Sequence, residues 1–219
     1  MSNVAQHMLE FILESEAIEH IYRDPEEIAS QIQNRVGNGH VGAIIILETL
    51  AKGNVQHLID RHLICEIQRL ITEEQNCKNL VGSVLQKRWL GKYRDVKVRV
   101  KDSVCPPPEV VSMLMEGMIK KIQRWQKAAR QNEIIYNLGF IADSHHEFLK
   151  IHPFTDGNGR TARILTWYEM RFAGIMPFVF TSHDKCGEYY PCFEPDNTEL
   201  MRKYFFLKYE EFIRKGFIE

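Results

Sequence analysis

The stretch His152-Pro153-Phe154-Thr155-Asp156-Gly157-Asn158-Gly159-Arg160-Thr161-Ala162-Arg163 joins an imidazole, a carboxylate, two glycines, an amide and two guanidiniums within twelve positions. Gly157 and Gly159 permit backbone angles closed to other residues, so successive N–H groups can turn inward around an anion. Downstream, Ile164, Leu165, Tyr168 and Phe172 recur at helical spacing. The turn is therefore expected to open a helix, whose unpaired N–H groups and dipole favour phosphate. Arg160 and Arg163 share one helix face near that end and can fork onto phosphate oxygens. Asp156 is a hard oxygen ligand suited to a Mg²⁺ that also binds phosphate. His152 can be neutral near pH 7 and can take a proton from an attacking hydroxyl. A lone Gly-Asn-Gly is an ordinary turn, and a lone His before Pro an ordinary cap. The whole string fits one chemistry: a phosphorylated ligand held beside a base.

The string resembles the Fic signature, H-x-F-x-[DE]-G-N-G-R-x-x-R, at every specified position. The resemblance implies a mainly helical, all-α Fic fold with a short β-hairpin flap. It also implies transfer of AMP from ATP to a Ser, Thr or Tyr hydroxyl of a target protein or of the chain itself. By position, His152 would be the general base and Phe154 the anchor of the loop. Asp156 would hold Mg²⁺, or Mn²⁺ in its place. Gly157, Asn158 and Gly159 would form the anion hole, Arg160 would grip the phosphates and Arg163 would reach the γ-phosphate.

Gly91-Lys92-Tyr93-Arg94, then alternating Val96, Val98 and Val100, then Pro106-Pro107-Pro108 resemble the family's flap, at about residues 91–105. The alternation predicts a short strand with Lys97 and Arg99 on its other face. A free strand edge could dock an extended target segment by strand addition. In the family the flap also covers the nucleotide, which would bring Lys101, Asp102 and Ser103 near it. Glu188-Tyr189-Tyr190, followed by Asn197, resembles the segment that lines the adenine and ribose pocket, and aromatic faces with an amide suit a purine. Pro191 and Cys192 depart from the family's usual residues there.

Ser15-Glu16-Ala17-Ile18-Glu19-His20 resembles the inhibitory motif [ST]-x-x-x-E-[GN], with Ser15 and Glu19 matching and His20 departing. Val4, Met8, Phe11 and Ile12 precede it at helical spacing. The resemblance implies an N-terminal inhibitory helix over residues 1–23, ahead of a single helical domain over 24–219. Glu19 would pair with Arg163 and block the γ-phosphate site, a local electrostatic competition. In some relatives the same glutamate orients a water that removes AMP from a modified target.

The 219 residues are 44% hydrophobic, enough for one sizeable core. A net charge of −1 implies no broad basic surface, so nucleic acid is not an expected partner. Five cysteines without a C-x-x-C pair point to reduced thiols in a cytosol. No apolar run reaches membrane-spanning length, and no secretory signal profile opens the chain; export by a specialised bacterial system stays compatible with this. Homodimers are common among the relatives.

Helical patterns fill most of the chain. Asp24-Pro25-Glu26-Glu27 is a helix start. Val41 to Leu50 reads as a buried helix, with a strand as the alternative. Ile59, Leu63, Ile67, Leu70 and Ile71 form one stripe, and Val111, Leu114, Met118, Ile122 and Trp125 another. Ile134, Leu138, Ile141, Phe148 and Leu149 lead into His152, and Leu200, Tyr204 and Leu207 suggest a closing helix. All read as core. Asp143, His145, His146, Glu147 and His183-Asp184 give a rival reading, a divalent-metal phosphohydrolase. Adjacent His145 and His146 point about 100° apart on a helix and share one metal poorly, and that reading leaves Gly-Asn-Gly-Arg unexplained. A non-catalytic nucleotide-sensing module is the third reading, but it has no use for a base at His152.

Overall fold

A computed structural model describes residues 2–53, 57–80, 84–100, 103–193 and 197–216. Several helices begin where a local signal places them. Helix α1 (Asn3–Ala17) is capped by the Ser2 hydroxyl, and α2 (Pro25–Gln33) by Asp24, whose carboxylate accepts from the Glu26 N–H at 2.9 Å. The run after Val41 is helical, within α3 (Gly39–Lys52). Asp60 caps α4 (Arg61–Lys78), so buried Ile59 lies just before that helix rather than in its stripe. Pro108 opens α5 (Pro108–Gln126), followed by α6 (Ile134–Ile151), α7 (Asn158–Phe172) and α8 (Thr198–Arg214).

The alternation at Val96, Val98 and Val100 overstates the strand. Only β1 (Arg99–Val100) pairs, antiparallel, with β2 (Ser103–Val104) in a small hairpin. Val96 and Val98 are instead half-buried against the body of the molecule. Lys101 and Asp102, between the strands, lie outside the described residues.

Helix α7 is the axis of the fold. It packs against α3, α4 and α6, and α1 reaches its first turns. All its residues are buried except Gly159 and Arg171, although six of the buried ones are Asn158, Arg160, Thr161, Arg163, Thr166 and Glu169. A helix this polar is buried only if its polar groups find partners inside, and those partners define the site below. Helix α1 shares the same core: Phe11 meets Trp167 edge-on at 4.8 Å, and the buried His7 ring reaches the Pro177 carbonyl at 2.5 Å. Two stripe positions are not core. Ile134, in the first turn of α6, is 50% exposed and Leu207 on α8 is 57% exposed.

Candidate active site

The loop 152–157 joins α6 to α7, and both of its ends are left-handed. His152 closes α6 with φ 51°, and Gly157 caps α7 with φ 78°. At Gly157 a side chain would meet Thr72 Cγ2 at 3.0 Å in a conformation that already favours glycine. The Asn158 amide ties the loop to itself: its Oδ1 accepts from the Phe154 N–H and its Nδ2 donates to the Phe154 carbonyl, both at 2.9 Å. Phe154, fully buried, pins the loop against Phe148 and Tyr93. The side chain of Asn158 is thus occupied within the loop, and the backbone N–H groups of α7's first turn are the groups of this stretch that helix geometry leaves open.

Helix α4 buttresses the loop with amides. Gln75 donates to Asp156 Oδ2 at 2.7 Å and accepts from Arg160 Nη2 at 2.5 Å; Gln68 donates to the Asp156 carbonyl at 3.1 Å and accepts from the Gly91 N–H at 2.6 Å. Arg160 is 3% exposed, its Nε has no partner among the described residues, and burial works against its charge. A buried guanidinium left partly unsatisfied is a ready seat for an anion.

Arg94 holds the loop from the flap side. Its buried guanidinium donates to the carbonyls of His152 (2.7 Å), Val96 (3.0 Å), Pro106 (2.6 Å) and Ile151 (3.2 Å), and its N–H to that of Pro153 (2.8 Å). Arg94 therefore ties flap and loop to each other. His152 Nδ1 lies 3.3 Å from the Leu149 carbonyl, which favours the proton on Nδ1 and leaves Nε2 as the lone-pair nitrogen. Burial lowers its pKa, so the ring stays neutral near pH 7.

Arg163, 1% exposed, points back to the N-terminal segment. Its Nε donates to Ser15 Oγ at 2.9 Å, and its Nη2 donates to the Ser15 carbonyl and to Glu19 Oε1, each at 2.8 Å. A Cβ at Gly159 would lie 2.5 Å from the same Glu19 oxygen. The carboxylate therefore sits on the open first turn of α7, where an anion would sit. Burial opposes its charge, but Arg163, Arg160 and Lys185 outweigh that and hold Glu19 below its ordinary value. His20 follows with φ 59°, in the left-handed region where the motif's Gly or Asn is at ease, and its Nε2 is 2.9 Å from Lys185 Nζ.

The remaining predicted residues are spread out. Tyr189 is 2% exposed, with its hydroxyl 2.7 Å from His145 Nε2 and hydrogen-bonded to Arg163. Tyr190 is half-buried beneath the Lys185 ammonium, 5.5 Å from its ring centre. Asn197 caps α8, accepting from the Leu200 N–H, and Ser103 is exposed on β2. His145, held between Thr166 and Tyr189, has its pKa pushed down to about 3 by burial and stays neutral. Among the other rival ligands, Asp143 pairs with Arg202, Glu147 with Lys121 and Asp184 with Lys208, so they do not converge.

For a divalent cation the fit rests on Asp156. Its carboxylate is 41% exposed and each oxygen accepts one hydrogen bond, Oδ1 from the Gly157 N–H and Oδ2 from Gln75, which leaves lone pairs on both. One half-exposed carboxylate suits a Mg²⁺ that keeps most of its waters and arrives with phosphates. Among the described residues no group of three or more His, Cys, Asp or Glu could hold a metal unaided. No helix of the described residues is long and apolar enough to cross a membrane.

A family model described as the Fic/DOC family matches residues 58–170. Over 100 residues the chain is 38% identical to a protein adenylyltransferase Fic of Nematostella vectensis, covering 46% of this chain and 22% of that protein. It is 30% identical to the protein of that name in Drosophila grimshawi, also over 100 residues, covering 46% and 20%. The matched stretch is thus about a fifth of the length of these curated relatives. A Fic domain containing signaling protein from Bacteroides thetaiotaomicron has a similar structure, with TM-score 0.68 and 19% identity over 95% of this chain and 84% of that one. Fic-1 from C. elegans gives a TM-score of 0.64 at 20% identity, over 98% and 66%. At these identities the likeness speaks for the fold.

Proposed function

The chain belongs to the Fic/DOC family, and on that premise we propose that it is a protein adenylyltransferase held in check by its own Glu19. In this reading the His152 Nε2 takes the proton of a target hydroxyl. The hydroxyl oxygen then forms a bond to the α-phosphorus of ATP, the bond from that phosphorus to the bridging oxygen breaks, and pyrophosphate leaves with the electron pair. Arg160 and the N–H groups of α7's first turn stabilise the charge on the phosphates, so the site works by position and preorganised charge. Asp156 would hold a Mg²⁺ or Mn²⁺ brought by the triphosphate, which supplies neutralisation of the phosphate oxygens. The burial of His152 supports its role, because a neutral ring can accept a proton at pH 7.

Inhibition follows from competition for one guanidinium. Arg163 can serve the γ-phosphate or the Glu19 carboxylate, and Glu19 stands above Gly159 as well. The contact of Glu19 Oε1 with Arg163 is the observation that carries this reading. The test is to incubate wild type, Glu19→Gly and His152→Ala with each labelled nucleoside triphosphate plus Mg²⁺ or Mn²⁺ and to read intact masses. Gain of AMP by Glu19→Gly, and none once His152→Ala is added to that released variant, supports the reading. A different nucleotide group on the protein replaces the donor, and labelling of His152→Ala removes the base. A nucleotide sensor would bind ATP equally with and without His152 and transfer nothing.

A further inference from the structure

The N-terminal segment is tied to the wall of the site at more points than Glu19. The Glu14 carboxylate accepts from the Ser182 N–H at 2.6 Å, and His20 Nε2 lies 2.9 Å from Lys185 Nζ. Two nitrogens at that distance need one lone pair between them, so the ammonium donates to a neutral imidazole. On its other side Lys185 lies over the Tyr190 ring, 5.5 Å from its centre. Neither partner carries a charge. The charge that Lys185 does act on is that of Glu19: burial works against this carboxylate, and Arg163, Arg160 and Lys185 together overcome it. Lys185 also opens a single π turn, Lys185–Tyr189, and Tyr189 at its far end is hydrogen-bonded to Arg163. One short turn, of a kind that collects at functional sites, thus joins Lys185 to the guanidinium that Glu19 occupies.

We infer that Lys185 is a further phosphate-binding residue, which rests on His20 while Glu19 fills the site and turns onto the outermost phosphate of the nucleotide once Glu19 leaves. The inference rests on the transfer reading for the ligand and on the placing of Lys185 beside Glu19 for the residue. A terminal phosphate brings more charge than a carboxylate and three acceptor oxygens. It is therefore a stronger partner for the ammonium than a neutral ring. A lysine suits such an exchange, because its ammonium is a point charge on a flexible stem. The outermost phosphate is the partner because Glu19 takes the place on Arg163 proposed for it. Lys185 would then read whether the nucleotide still carries that phosphate. The rival role is a plain latch, with Lys185 serving only to hold His20.

The test uses the full chain carrying Glu19→Gly and reads the affinity of a nonhydrolysable ATP analogue and of AMP by titration calorimetry with Mg²⁺. Lys185→Met keeps the stem over Tyr190 and removes the charge. It is expected to weaken the ATP analogue about tenfold and AMP by less than about twofold. Lys185→Arg should recover most of the loss. His20→Asn in the same background should change neither affinity, because the imidazole serves only the closed form. Melting curves on the same preparations confirm the fold. Equal weakening of both ligands, or no weakening of either in folded protein, overturns the inference. The second result, joined to faster transfer by Lys185→Met in the otherwise wild-type chain, makes Lys185 a latch alone. Transfer of AMP, recorded in parallel, tests the reading beneath. A charge-dependent preference for the triphosphate without transfer keeps Lys185 and removes the chemistry; transfer without that preference does the reverse. A Glu19→Gly chain that binds neither ligand removes both.

Discussion

Replacing Glu19 by Gln should raise adenylyl transfer and lower stability together. The Glu19–Arg163 contact is a charge-assisted hydrogen bond of 2.8 Å to a buried guanidinium, with the carboxylate about a third exposed. Such bonds contribute about 1.5–3 kcal/mol, and partial exposure favours the lower part, about 1.5–2 kcal/mol. If the open and closed forms differ chiefly by this contact, removing it shifts their ratio about 10- to 30-fold. Transfer measured at ATP concentrations well below saturation should rise by that factor in Glu19→Gly. It should rise less in Glu19→Gln, whose neutral amide keeps one hydrogen bond. The same contact is lost from the folded state, so the melting temperature of Glu19→Gly should fall by about 3–8 °C. Arg163 keeps its two bonds to Ser15, which is why the fold survives. The assay pairs initial rates from radiolabelled ATP with melting curves on the same preparations. A variant that melts lower but transfers no faster would show that the contact is structural alone, and the competition argument would fail.

Arg94→Ala should cost about 3 kcal/mol or more, because four carbonyls from loop and flap lose their donor. Arg94→Lys should not restore it, since one ammonium cannot span that fork; chemical denaturation of both variants checks this. Gly157→Ala should lose about 1–2 kcal/mol from the left-handed backbone and the approach of Thr72, read as a shifted denaturation midpoint. Stability should fall on acidification between pH 6.5 and about 3. His145 binds a proton in the unfolded chain over that window but not in the fold, where burial pushes its pKa down to about 3. The His145→Gln variant should show a flatter decline in melting temperature across the same window, and an unchanged slope would assign it to other groups.

The signature's turn was legible because Gly157 and the Asn158 amide act within a few residues of where they stand. Gly157 caps the helix that the apolar spacing after it predicts, and Asp24 caps α2 as the Asp-Pro-Glu-Glu string suggests. The supports were not legible, because they act across long separations. Arg94 reaches carbonyls 57 and 58 residues away, and Gln75 reaches Asp156 across 81. A lone glutamine on a helix carries no local sign of such a partner. Tyr189 falls in the segment that resembles the nucleotide pocket, and the contacts of its hydroxyl with His145 and Arg163 likewise span separations that the sequence does not mark. The Val96–Val100 alternation predicted a strand because half-burial has the same period whether the partner is a strand or the wall of a groove. Ile134 and Leu207 kept their helical phase but lie at the margins of the core, which periodicity does not mark.

The most direct test of the account is the position of a nonhydrolysable ATP analogue bound to Glu19→Gly in a crystal. The account predicts the phosphates over the first turn of α7, the outermost one on Arg163, and the α-phosphorus within reach of a hydroxyl held by His152 Nε2. Phosphates bound away from Gly157–Arg160, or an imidazole whose Nε2 faces the interior, would contradict it.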